Sequence, residues 1–457
     1  MSTSGIGRAT ALAIGLAIVM ILTAAPAGAR PFAAPIDTYR LPNGIRVVLA
    51  PDPDLPNVSV AIRYGVGSAD DPAGKEGLAH LVEHLMFAGS RHVPSGDYFR
   101  WIARVGGTAP SGTTSLDATL YLTTVPATAL PVVFWLESDR MGFLPDVLTQ
   151  STLDREVRII ADELRGRVVD QEVGIAISMK EQALFPVWHP YHRDAHEWGL
   201  PNCTVEDLLA FWTTWYGPPN AVIAVAGNFH SDTVRDLIVR YFDDLPAREP
   251  PIRPVLPPHW GVNTMRVDVG ANVPRDQLAL FWKAPALDAP GDAPLDLAAA
   301  VLADPAGRLQ HALVSSGLAT QVSAREASEK RASVFSIAAG IADGANMQHV
   351  SDIFDSAVSA VAAGVTEEEC ARARHEYYGL LLSRLATSRG RAALLASRPE
   401  GNVTWGLDKY DAIDGAQVAA AVRSFLTADQ KLVLAVHHGA QYPVRGTVLS
   451  RQGGGAP

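Results

Sequence analysis

A chain of 457 residues is longer than one hydrophobic core usually organises, so two or more domains are expected. Hydrophobic residues make up 48% of it and the formal charge is −10, a balance that excludes a disordered chain and argues against a nucleic-acid-binding surface. Its two cysteines, Cys203 and Cys370, are too few for a disulfide framework or a cysteine-rich metal site, and two separate buried thiols are expected rather than a bridge.

The first residues have a targeting pattern. Arg8 gives a positive start, and Ala11 to Thr23 form an apolar run shorter than the ~20 residues of a spanning helix. Ala27-Gly28-Ala29 then gives a small-x-small cleavage pattern before Arg30. Residues 1–29 read as a signal peptide, and the mature protein as exported, periplasmic or secreted, with no stable membrane span.

Beyond it, Asn43-Gly44 marks a turn, and Ile45 to Ala50 and Val58 to Tyr64 read as strands. Helical spacing follows over Gly77 to Phe87, Asp97 to Val105 and Ala127 to Met141, with a strand at Thr119 to Thr123. Glu156 to Leu164 is helical, and helix continues towards Leu184. Thr204-Val205-Glu206-Asp207 caps another helix, Ala221 to Ala226 is a buried strand and Ser231 to Phe242 a helix. Pro246, Pro250, Pro251, Pro254, Pro257 and Pro258 then form a linker, since proline at that density continues neither a helix nor a central strand. After it the order repeats in outline: a strand at Leu278 to Trp282, helices at Ala293 to Leu302, Arg308 to Ser315 and Glu367 to Thr387, and a strand at Leu432 to Val436. The expected division is a first half over residues 30–245, a linker over 246–262, a second half over 263–447 and a flexible tail over 448–457. The two halves read as versions of one α+β unit, alike in element order rather than in residues.

The chemistry concentrates at His80-Leu81-Val82-Glu83-His84. On a helix, positions i and i+4 share a face, so His80 and His84 can present two imidazoles to one metal, with Glu83 close to the same side. A histidine pair without metal is the plainer alternative. A catalytic zinc site wants a third protein ligand, and the helix carrying Glu156 and Glu163 offers two carboxylates seven residues apart on one face. One can bind the metal while the other backs the histidines; Asp162 is a weaker competitor.

This pattern resembles the pitrilysin and mitochondrial-processing-peptidase family, the inverzincin metallopeptidases, especially bacterial members with two halves per chain. Other stretches follow in the family's order: Leu41-Pro42-Asn43-Gly44, Gly106-Gly107, Gly112-Thr113-Thr114, Asp117-x-Thr119-x-Tyr121, Trp135 to Met141, His189-Pro190-Tyr191, Trp215-Tyr216 and Gly307 to Leu313. The resemblance implies a zinc metalloendopeptidase with one Zn2+ held by His80, His84 and Glu163. Glu83 would be the general base activating a zinc-bound water, and Glu156 the supporting carboxylate. It implies two homologous α/β sandwich halves, antiparallel-rich sheets packed with helices, facing each other across a chamber. The second half has no HxxEH on its corresponding helix. Substrates would be peptides or unfolded protein segments. Relatives often act in pairs, so a homodimer or a heterodimer with an inactive homologous chain is the alternative reading. Ser111 stands where many relatives have asparagine and Thr320 where many have tyrosine, departures expected to alter selectivity or slow turnover.

Overall fold

The computed structural model describes residues 35–164, 174–192, 200–257, 260–401, 403–443 and 447–453. The signal-peptide segment and the cleavage position at Arg30 lie outside the described residues. The first half runs β1 (Asp37–Arg40), β2 (Arg46–Pro51), β3 (Val58–Tyr64), α1 (Leu78–Ala88), α2 (Asp97–Arg104), β4 (Thr108–Thr114), β5 (Thr119–Val125), α3 (Leu130–Phe143), α4 (Gln150–Leu164), α5 (Gly174–Leu184), α6 (Val205–Trp215), β6 (Ala221–Gly227) and α7 (Ser231–Phe242). The second runs β7 (Met265–Ala271), β8 (Gln277–Ala284), α8 (Asp292–Ala303), β9 (Ala319–Ala327), β10 (Ser333–Ile341), α9 (Met347–Ala363), α10 (Glu367–Leu385), α11 (Ser388–Ser397), α12 (Gly415–Phe425), β11 (Lys431–His438) and β12 (Thr447–Gly453).

Each half holds one six-stranded sheet. The first has the order β1-β2-β6-β3-β5-β4 and the second β12-β7-β11-β8-β10-β9. Only β2–β6 and β7–β11 are parallel; the other neighbours are antiparallel. Strand β6, Ala-Val-Ile-Ala-Val-Ala-Gly, is buried along its whole length, as its unbroken apolar run requires of a central strand. Val60, Ile62, Ile223 and Val225 share a core with Leu81 and Leu85 of α1, Phe134 of α3, Phe211 of α6 and Ile238 of α7.

The opposite face carries small residues. Ser59 and Ala61 of β3 pair with Ala226 and Ala224 of β6 and leave room for a helix to lie flat. That helix is α11, from the second half, which packs on β2, β3, β5 and β6. In return α5, from the first half, packs on β7, β8 and β11. Met179 and Leu184 of α5 join Val267, Val269, Leu432 and Leu434 in a separate core cluster. The two halves thus exchange one helix each.

One expectation is corrected. Residues 448–457 are not a flexible tail throughout, because β12 pairs antiparallel with β7 and completes the second sheet. Its Thr-Val-Leu-Ser-Arg-Gln-Gly sequence is half-polar, as suits an edge strand, and the glycines after it masked the signal. Both cysteines are buried and unbridged, as expected. The stretch expected to be helical over Arg308 to Ser315 forms a π-helical turn over Gln310–Ser315. Among the described residues, no helix is long and apolar enough to cross a membrane.

Candidate metal centre

Helix α1 buries Leu78, Leu81, Val82, Leu85 and Met86 against the first sheet, each contributing about 1.5–3 kcal/mol as an upper figure. That apolar stripe fixes the helix rotation and turns His80 and His84 to the other side. Its first turn is held by the Asp71 carboxylate, which accepts from the Gly77 and Ala79 amides at 2.8 Å each. The Tyr216 hydroxyl lies 3.2 Å from the Ala79 carbonyl, where it can donate, and shares a hydrogen bond with Thr119. Tyr216 and Thr119, singled out in sequence by the family pattern, therefore hold the histidine helix in place.

The two imidazoles stand edge to face, with ring centroids 4.8 Å apart. Across from them α4 presents Glu163, whose Oε2 lies 3.3 Å from His84 Nε2 and 3.8 Å from His80 Nε2. One ligand atom from each of His80, His84 and Glu163 falls within 4.8 Å of the others, the only such three-residue group among the described residues. Asp162, the weaker competitor, is exposed and outside this group.

Glu156, two helical turns earlier on α4, is buried, with Oε2 3.7 Å from His84 Nδ1 and Oε1 accepting from Arg155 Nε at 3.0 Å. Burial pulls the His84 pKa down, but Glu156, Glu163 and Glu83 outweigh it and leave it above the usual histidine value. Burial also raises Glu156, yet His84 and Arg155 bring it below the usual carboxylate value.

Glu83 is buried to 8% exposure and reaches β4. Thr114 donates its hydroxyl to Glu83 Oε2 at 2.6 Å. Gly112, two residues earlier, has no side chain to spare: a Cβ there would lie 2.7 Å from Glu83 Oε1 and 2.9 Å from Phe87. The Gly112-Thr113-Thr114 stretch is thus a seat for one carboxylate, a role the sequence pattern pointed to without explaining. Ser111 lies on the same strand and accepts from Arg389, whereas Thr320, on β9, donates to the Gly340 carbonyl at 3.3 Å.

Two further pattern residues meet at the joint between the halves. The Tyr191 hydroxyl donates to Asp117 and accepts from the Arg331 amide at 3.1 Å, while the Lys330 amide donates to Asp117 at 3.0 Å.

Two family models match the chain, and the second begins inside the first half. Residues 46–181 match the family model described as Insulinase (Peptidase family M16), and residues 202–377 match the one described as Peptidase M16 inactive domain. The chain is 29% identical over 236 residues to the zinc protease PqqE of Helicobacter pylori, a match covering 51% of this chain and about half, 52%, of that protein. A crystal structure of a protease from Helicobacter pylori superposes with a TM-score of 0.80 at 23% identity, covering 88% of this chain and 99% of that one. Pitrilysin superposes with a TM-score of 0.73 at 19% identity, covering 92% of this chain and 47% of that one. At these identities the structural likenesses speak for the fold.

Proposed function

Because this chain belongs to the insulinase family, peptidase family M16, we propose that it is a zinc-dependent endopeptidase hydrolysing peptides or extended protein segments. The observation that carries this reading is the convergence of His80, His84 and Glu163. Tetrahedral zinc with bonds of about 2.1 Å spaces its ligand atoms about 3.4 Å apart. The contacts of Glu163 to the two histidines, 3.3 and 3.8 Å, are on that scale, and three protein ligands leave one position open. The donor set fits the metal, and Glu156 behind His84 is the supporting carboxylate.

A zinc ion held there would supply Lewis acidity toward a peptide carbonyl and acidify a nearby water. The chain's own part is proton transfer and positioning. Glu83 takes a proton from the attacking water and returns it to the departing amine. Thr114, by holding Oε2, fixes how the carboxylate is turned for that exchange. β4 is the edge strand of its sheet, so its outer side can receive an extended peptide as an added strand passing Glu83. In this reading residues 1–29 are removed and the enzyme works outside the cytoplasm.

Metal analysis combined with cleavage of a quenched-peptide library, with and without chelator, tests the proposal. About one zinc per chain and chelator-sensitive cleavage are expected. A metal-free chain, or cleavage indifferent to chelator, contradicts it. A second reading follows from the coverage of pitrilysin, of which this chain spans 47%. Two such chains, alike or one inactive, would together match that length. A zinc-loaded chain that cleaves only after a homologous chain is added selects this paired form.

A further inference from the structure

Arg389 of the second half reaches β4, the strand that seats Glu83. The ladder between β4 and β5 runs in step from Ser111 to Thr114, but between Thr108 and Ser111 three steps on β4 face two on β5. One extra residue is therefore accommodated as a bulge. Within it Ala109 takes a left-handed φ of 47°, a conformation an alanine adopts rarely, and Pro110 has no N–H to give the ladder. Such a bulge is costly to hold unless something outside the strand fixes it.

Arg389 does so. One guanidinium nitrogen donates to the Ala109 carbonyl at 2.8 Å and to the Leu122 carbonyl at 3.4 Å; the other donates to Ser111 Oγ at 2.6 Å. The planar fork thus spans both sides of the bulge, from β4 to β5. Arg389 is the second residue of α11, the helix that the second half lends to the first sheet. Its neighbours anchor it there: Ser388 shares hydrogen bonds with Ser59 at 2.9 Å and Asn57 at 2.6 Å, and Arg391 pairs with Asp52. Arg389 also lies beyond residue 377, where the family-model matches end.

We propose that Arg389 is a positioning residue for the peptide-binding edge: it holds the Ala109–Ser111 bulge, and with it the edge of β4 that receives the substrate. The inactive half thereby completes the active one. The inference rests on the peptidase reading for its kinetic consequence, but its structural consequence can be measured independently.

The experiment compares full-length wild type with Arg389→Ala, Arg389→Lys and Ser111→Ala, measuring zinc content, amide hydrogen exchange and cleavage of a quenched peptide. In Arg389→Ala, exchange across residues 108–114 should accelerate about tenfold, with residues 78–88 unchanged, because charge-assisted bonds holding a strand edge are lost. Zinc content should not move. KM should rise about tenfold while kcat stays within about twofold, since the loss falls on substrate binding and not on Glu83 itself. Arg389→Lys should recover part of both effects, and Ser111→Ala should show a smaller acceleration confined to the bulge. If Arg389→Ala does not fold, the lysine and Ser111→Ala variants carry the same readouts. Unchanged exchange across 108–114, or a fall in kcat with KM untouched, overturns the proposal. A wild type that binds no zinc and cleaves nothing overturns the peptidase reading alone and leaves the exchange result to decide the role of Arg389.

Discussion

The two halves build the same scaffold and treat it differently. α1 and α8 both start behind a left-handed glycine, Gly77 at φ 96° and Gly291 at φ 101°. Counted from those glycines, His80, Glu83 and His84 are matched by Pro294, Leu297 and Ala298. Counted from Thr149 and Thr366, the threonines before α4 and α10, Glu156 and Glu163 are matched by Ala373 and Leu380. Every chemical position has been replaced by one that cannot ligate, while the sheet order and its single parallel pair are kept. The fold therefore resides in the apolar pattern, and the proposed chemistry in five side chains laid over it. What the second half retains is mechanical: a helix and an arginine delivered to the first sheet.

Substitutions at matched positions put the largest strain on this contrast. His80→Ala should abolish metal binding and cleavage together, whereas Pro294→Ala at the same offset should leave metal content unchanged, as measured by elemental mass spectrometry. Glu163→Gln should lose most of the metal, because a neutral amide replaces an anionic ligand, and Asp162→Asn should keep it. The reverse result for these two carboxylates would move the ligand by one residue.

A smaller but still large effect separates the buried charges of the two halves. Arg140 is 2% exposed, paired with Glu137 and covered by the Tyr121 ring 4.0 Å away. Arg140→Met should destabilise by roughly 3–5 kcal/mol in denaturant unfolding, since Glu137 is left buried without its partner. Lys409, paired with Asp292 and Asp296 in the second half, is 22% exposed, so Lys409→Met should cost less.

A last contrast, confined to alkaline pH, is a pH dependence that belongs to the second half. Both carboxylate oxygens of Glu326 are buried without a hydrogen-bond partner. Burial, then the charges of Asp296 and Asp292, raise its pKa from 4.5 to about 10. The folded state holds that proton where the unfolded chain has released it, so stability declines as pH rises from about 4.5 toward about 10. Glu326→Gln, which needs no proton, should raise Tm at alkaline pH and change it little near pH 5. Equal shifts at both ends of the range would contradict this assignment.

Much of the centre was legible in the sequence because it is local. His80, Glu83 and His84 sit on one strongly periodic helix, and Glu156 and Glu163 share a face of another, so spacing gathers each set on its own helix, while the roles of the two carboxylates came from the family resemblance. β4 was not legible as a strand: Thr-Ala-Pro-Ser-Gly-Thr-Thr has no alternation, and its proline and glycine suggest a turn. Its role depends on contacts with Glu83 and Arg389 that are distant in sequence. α11 was missed for a related reason, since ten residues of Ser-Arg-Gly-Arg followed by small apolar side chains give a weak period. Nothing in that stretch says that its partner sheet lies in the other half. The second sheet's outer strand is supplied from the end of the chain, whereas the first sheet's outer strand, β1, comes from its start.

Glu83→Gln is the most direct test of the central claim that this chain divides metal binding from proton transfer between neighbouring residues on one helix. The variant should keep its zinc and its Tm, because Glu83 is outside the ligand group of His80, His84 and Glu163 and an amide can still accept from Thr114. Its peptide cleavage should fall by about 10²-fold or more, the typical contribution of a general acid–base group that acts in both transfers. Near-native turnover in a zinc-loaded Glu83→Gln protein, or loss of the metal with the carboxylate, would contradict that division.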